Sequence, residues 1–202
     1  MELFRPFGPI FGKFKIDRSF IDSINAEVDN VPSSFTDHGK KLAGEVKQEM
    51  RFNEKSFAKL KIGETLFPII RQYVAGAVNR DITKCSFLDC WIVRQKAHEY
   101  NPTHWHNGHI SGVMWLKIPD NMTESGVKAA LKGAKRNGNI GFPYGSRQFA
   151  SSSYLEITPV VGDLVLFPHY LMHHVYPFDT EGERRSMAFN VVINEDAFNI
   201  FN

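Results

Sequence analysis

The chemistry this chain can offer is concentrated in its histidines. Seven of the eight lie between His98 and His174, in two groups: His104-Trp105-His106 with His109 close by, then His169, His173 and His174. Residues two apart on a β-strand face the same way, so His104 and His106 can present two imidazoles to one ion, a third arriving from a strand that folds alongside. Imidazole suits iron, copper, nickel and zinc, and a facial set of three ligands leaves positions open for substrate and oxygen. A lone histidine is usually a surface or satisfied core residue, so it is the clustering that points to a metal. Adjacent strand residues point to opposite faces, so only one of His173 and His174 is expected to serve.

A second constellation follows, Arg184-Arg185-Ser186-Met187-Ala188-Phe189-Asn190. Read at strand parity, Met187, Phe189 and Val191 form an apolar face that should pack outward against helices. Arg184, Ser186, Ala188 and Asn190 share the other face, which is cationic, small and hydrogen-bonding, and could hold a dicarboxylate. A guanidinium grips a carboxylate bidentately, and the Ser186 hydroxyl can donate to the same group. Taken alone, Arg184 and Arg185 read more readily as a solvated pair at a strand start.

The positioning elements can be read from the pattern. Phe7, Ile10, Phe11, Phe14 and Ile16 mark an extended segment over 6–16. Phe20, Ile21, Ile24 and Val28 recur at helical spacing after a candidate cap at Ser19, and Pro32 should end that helix. The stretch 31–58 is polar and weakly patterned and reads as loop with a short helix. Leu66, Ile69, Ile70, Tyr73, Val74 and Val78 predict a stronger helix over about 64–79. From Ser86 onward, short runs rich in β-branched and aromatic residues alternate with glycine, proline and asparagine: 87–96, 111–118, 154–157, 163–167 and 186–193. This texture predicts an all-β barrel or sandwich with two helices packed on one side. Residues 122–153 read as a long insertion suited to a lid over a site.

Composition bounds the rest. At 202 residues the chain fits one domain with a sizeable core, and 43% hydrophobic with 23% charged residues excludes extended disorder. Net charge is +2 with no basic run beyond short pairs, so nucleic-acid binding finds no support. No apolar run approaches a membrane span. Met1 to Pro9 contain Glu2, Arg5 and two prolines and do not read as a signal peptide. With Cys85 and Cys90 as structural thiols, a reducing, cytoplasmic setting is expected.

Taken together, the glycine-led strand from Gly162 to Phe167-Pro168, the turn His173-x-Val175-x-Pro177 and the pair Arg184-x-Ser186 resemble the iron(II)- and 2-oxoglutarate-dependent dioxygenases. Within them they are most similar to oxygenases related to prolyl hydroxylases, of a kind found in marine bacteria and their phages. The resemblance covers roughly Cys90 to Ile193. It implies a double-stranded β-helix, a cupin-like jelly-roll barrel over about 86–193, with N-terminal helical support over about 17–80 in one domain of residues 1–202. It implies His173 as the distal ligand, Arg184 and Ser186 on the distal carboxylate of 2-oxoglutarate, and Asn190 on the same cofactor-binding face. Iron(II), 2-oxoglutarate as co-substrate, O2 and a protein side chain or small molecule as substrate would follow, with succinate and CO2 as products. Trp105, Trp115 and Tyr176 could line the substrate side.

One departure is clear. The wider superfamily places a carboxylate two residues after its first histidine, and between Tyr100 and Pro119 this chain has none. His106 stands in that position, which would give the three-histidine set His104, His106 and His173. Alternatively His106 is the first ligand with Gly108 at the acid's position, or Asn107 ligates through its amide. Two other functions remain open on the residues: a cupin-type three-histidine dioxygenase that uses no 2-oxoglutarate, and a non-catalytic metal-binding module. Oligomeric state is not legible.

Overall fold

The computed structural model describes residues 1–4, 8–37, 46–120, 122 and 137–194. Most of the segment expected to act as a lid, residues 123–136 with Lys128, Lys132, Lys135 and Arg136, lies outside the described residues.

A short hairpin, β1 (Glu2–Phe4) with β2 (Phe11–Lys15), leads into helix α1 (Arg18–Asn30). Ile21, Ile24 and Val28 form the buried stripe of α1. The expected Ser19 cap is displaced: Asp17 holds the N-cap position without a side-chain cap bond, and Ser19 sits in the first turn. The helix stops before Val31-Pro32, because the residue preceding a proline is disfavoured in helical conformation. After a 3-10 turn at Pro32–Ser34 come β3 (Phe35–Asp37), β4 (Glu49–Phe52), α2 (Glu54–Lys59) and α3 (Ile62–Val78). The stretch read as loop therefore contains two strands. β3 is the edge strand and β4 lies between it and β5, and both are too short, at three and four residues, to display an alternation. Helix α3 buries Ile62, Leu66, Ile70, Tyr73 and Val74, and ends at Asn79 in left-handed conformation.

The barrel strands are β5 (Cys85–Gln95), β6 (Asn101–His104), β7 (Ile110–Lys117), β8 (Ile140–Pro143), β9 (Tyr154–Ile157), β10 (Asp163–Pro168), β11 (His173–Val175) and β12 (Arg184–Ile193). They form two antiparallel sheets. The larger runs β1-β2-β10-β7-β12-β5-β4-β3 and the smaller β6-β11-β8-β9. This is a double-stranded β-helix with helices on the outside of the larger sheet, the mainly β class that the strand texture predicts.

Two cores follow from strand parity. Leu164, Leu166, Met187, Phe189 and Val191 face the helices and pack with Ile21, Ile24, Leu66 and Ile70. Val165, Phe167, Val113 and Trp115 face inward against Ile140 and Phe142 of the smaller sheet. Strands β7 and β10 are buried on both faces, which explains their nearly unbroken apolar runs. The Arg184-Arg185 pair is not solvated, since both side chains are buried. Arg185 donates to Glu183 and to Asp29, each at 2.6 Å, and to Asn25 at 3.0 Å, tying α1 to β12.

Candidate active site

The smaller sheet brings the histidines together. His104 closes β6 directly opposite His173, the first residue of β11. His106 lies beyond the end of β6, not on a strand shared with His104. It is fixed there by its backbone N–H, which donates to the His169 carbonyl at 3.2 Å, and by its ring against Trp91 at 5.5 Å. The ring centroids stand 4.3 Å apart for His104 and His173, and 5.0 Å for each of the other pairs. One nitrogen from each ring falls within 4.8 Å of the others.

Tautomers are set by backbone acceptors. The His104 Nδ1–H donates to the Pro102 carbonyl at 2.7 Å, and the His173 Nδ1–H to the Leu171 carbonyl at 2.8 Å. Each leaves Nε2 as a lone pair, the arrangement in which a ligating imidazole is held. Burial keeps the rings neutral. It pushes His106 down to about 4, helped by His104 and His169, and lowers His104 and, more strongly, His173, which is further depressed by its two neighbours. Three neutral imidazole nitrogens within 4.8 Å of one another fit a divalent first-row metal such as iron(II).

The other candidates separate. His174 points to the opposite face of β11, with its Nε2 2.9 Å from the Tyr154 hydroxyl. His109 accepts the Ile193 N–H through Nδ1 at 3.1 Å. Asn107 and Gly108 do not line the cavity beside the histidines. Gly108 takes a φ of +105°, and a Cβ there would meet the Val191 carbonyl at 2.9 Å, so it serves a turn.

That cavity has a volume of about 60 Å³, and its wall holds Arg184 and Ser186. Arg184 is only 1% exposed. Its Nε–H donates to the Gly138 carbonyl at 3.0 Å, its Nη2 has no partner, and no carboxylate pairs with it among the described residues. Burial lowers it to about 10, still charged at neutral pH. A buried guanidinium with an unsatisfied N–H2 costs stability unless an anion completes it. Arg185, one residue on, faces away into its own ion pairs. Asn190 does not line the cavity. Its Oδ1 accepts from the Ser111 hydroxyl at 2.8 Å, and Ser111 is the residue on the wall.

The aromatic expectations are corrected too. Trp105 is 62% exposed, Trp115 is buried between the sheets, and Tyr176 bonds the Tyr154 hydroxyl at 2.7 Å. The cavity wall uses Trp91 instead, together with Glu49 and Asn101. Glu49 had no sequence signal because it starts a four-residue strand in a weakly patterned stretch. Asn101 sits in an Asn-Pro step that reads as a turn. Trp91 is recoverable by parity, since it pairs with Ala188 on the Arg184 face of β12.

A model of the 2OG-Fe(II) oxygenase family matches residues 89–190, and the chain belongs to that family. Solved structures share the fold. HygX from Streptomyces hygroscopicus, with nickel and 2-oxoglutarate bound, is 14% identical, with 90% of this chain and 82% of that one covered and a TM-score of 0.59. A Pseudomonas putida prolyl-4-hydroxylase is 13% identical, over 89% and 91% of the two chains, at 0.60. A prolyl hydroxylase from Trichoplax adhaerens, in complex with a hypoxia inducible factor peptide fragment, is 13% identical over 95% and 87%, at 0.62. No curated protein matches in sequence. The protein is thus an iron(II)- and 2-oxoglutarate-dependent dioxygenase, which disfavours both a cupin-type enzyme without 2-oxoglutarate and an inert metal module.

Proposed function

We propose that this dioxygenase is a hydroxylase in which His104, His106 and His173 hold iron(II) while Arg184 and Ser186 take the distal carboxylate of 2-oxoglutarate. The observation that carries the reading is the unsatisfied Nη2 of buried Arg184 in the cavity that the three imidazoles line. When bound, iron(II) with 2-oxoglutarate and O2 supplies the oxidising chemistry, with succinate and CO2 as products.

The protein's own part is positional. The Pro102 and Leu171 carbonyls orient two imidazoles, and Trp91 backs the third. Arg184 fixes one end of the co-substrate, and the apolar packing of Val113, Phe167 and Ile140 keeps water from the far side of the cavity. The Ser111–Asn190 bond holds a hydroxyl on the wall between them. The substrate is a peptide side chain or a small molecule bearing an oxidisable carbon, and we read residues 1–202 as one oxygenase domain. Cys85 and Cys90 are unpaired thiols, in keeping with the cytoplasmic setting we infer.

Purified protein given iron(II), 2-oxoglutarate and O2 is expected to release succinate even without substrate, and His173→Ala to abolish the release. Succinate formation that is absent from the native protein, or equal in the variant, would overturn the assignment.

A further inference from the structure

The cavity wall carries a second polar group besides Arg184 and Ser186. Among its described lining residues Glu49 is the sole carboxylate, alongside three neutral imidazoles and Arg184. Glu49 opens β4 and pairs with Val93 of β5, which in turn pairs with Ser186 of β12. Glu49 therefore stands two strands from Ser186, roughly 10 Å across the sheet, too far to share the carboxylate held at the Arg184 end. It is 3% exposed and, among the described residues, has no cationic partner.

Among the described residues the side-chain amide of Asn101 donates to its carboxyl group. Asn101 opens β6, the edge strand of the smaller sheet, so the pair spans the gap between the two sheets. The Asn101 Oδ1 is buried and has no partner of its own among the described residues. Two acceptors thus meet at one place, one an acid without a counter-ion and the other an orphan. An unsatisfied buried acceptor costs about 1–3 kcal/mol, so the arrangement asks for a donor from outside the chain. Burial raises the Glu49 carboxyl to about 7, against the opposing pull of the Asn101 amide.

We propose that Glu49 and Asn101 form the substrate-recognition end of the cavity and select a substrate carrying a cationic nitrogen, an amine or guanidine. This rests on the reading of Arg184 as the 2-oxoglutarate end. The cavity is then divided by charge, with the anionic co-substrate at one end and a cationic substrate group at the other. A neutral hydroxyl could satisfy Asn101 but would leave the acid unpaired.

Three probes of equal length, n-butylammonium, 1-butanol and butyrate, separate the cases. Each is titrated by ligand-observed NMR into protein loaded with nickel(II), a redox-silent stand-in, and saturating 2-oxoglutarate. Butylammonium is expected to bind at least about tenfold more tightly than either other probe, the worth of one buried charge-assisted hydrogen bond. Glu49→Gln should erase that preference and leave 2-oxoglutarate affinity within about twofold. Asn101→Ala, which keeps the acid and guards against a misfolded first variant, should weaken butylammonium about threefold or more while preserving its rank. Equal retention of the three probes, or a preference that survives Glu49→Gln, would overturn the proposal. Failure of the native protein to bind 2-oxoglutarate would instead overturn the Arg184 reading, and this one with it.

Discussion

Arg184 stores an electrostatic cost in the ligand-free fold, and that cost is what identifies it. Replacing it with Met removes a buried charge whose Nη2 is unsatisfied and keeps most of the volume. The metal-free variant should therefore be more stable than the native protein, by about 1–2 kcal/mol in urea unfolding, although it loses 2-oxoglutarate. Arg185 behaves oppositely. Breaking its contact by Glu183→Gln leaves a buried guanidinium short of one carboxylate and should cost about 3 kcal/mol. The imidazoles set a pH dependence of known sign. In the metal-free protein their folded pKa values lie below the unfolded value near 6.5, His106 at about 4. As pH falls below about 6.5 the unfolded chain takes up protons first, so stability contributed above that pH is lost on descent toward 4. His106→Phe should flatten the urea midpoint between pH 6.5 and 5, by up to about 2 kcal/mol relative to native. An unchanged slope would show that His106 is not buried as a neutral ring.

Strands β7 and β12 carry the geometry that these residues depend on. Gly112 of β7 pairs with Phe189 of β12, and a Cβ at Gly112 would come within 2.2 Å of the Phe189 ring. Phe189 is itself pinned between sheet and helices, so Gly112→Ala should destabilise by about 1–3 kcal/mol in thermal unfolding and tilt the face that bears Ser186. The elements differ in how far the sequence announces them. Strands β5, β7, β9, β10 and β12 are legible because they bury one face or two, which forces β-branched and aromatic residues into them. Strands β6 and β11 are not, because their length is spent on Asn101, His104, His173 and His174, residues chosen for a site and not for packing. Strands β3 and β4 are only three and four residues long, and so Glu49, the acid in the cavity, went unseen. The parity of β12 did predict which residues face the helices. It overreached at Asn190, whose side chain is taken up by Ser111 before it reaches the cavity.

The whole molecule is two sheets held apart at one end by a polar cavity. Ligands there add cross-links between β6, β11 and β12 that the bare fold lacks. At about a hundred times its dissociation constant, a ligand that binds only the folded state stabilises by about 2.7 kcal/mol. For a chain of this size that is roughly 5–10 °C in melting temperature. Nickel(II) with 2-oxoglutarate should give such a shift in a thermal scan, and a chelator should reverse it. That histidine spacing pointed to a metal, while an arginine and a serine pointed to its co-substrate, reflects how few residue types can do either task. The substrate end is harder to read, because an acid and an amide separated by 52 residues meet only once both sheets are built. The central claim is that a three-imidazole centre and Arg184 act on one co-substrate. It is tested most directly by calorimetric titration of 2-oxoglutarate into anaerobic, iron(II)-loaded protein and into Arg184→Met. The account predicts saturable one-to-one binding to the native protein, weakened at least about a hundredfold in the variant. Native-like binding by Arg184→Met would contradict it.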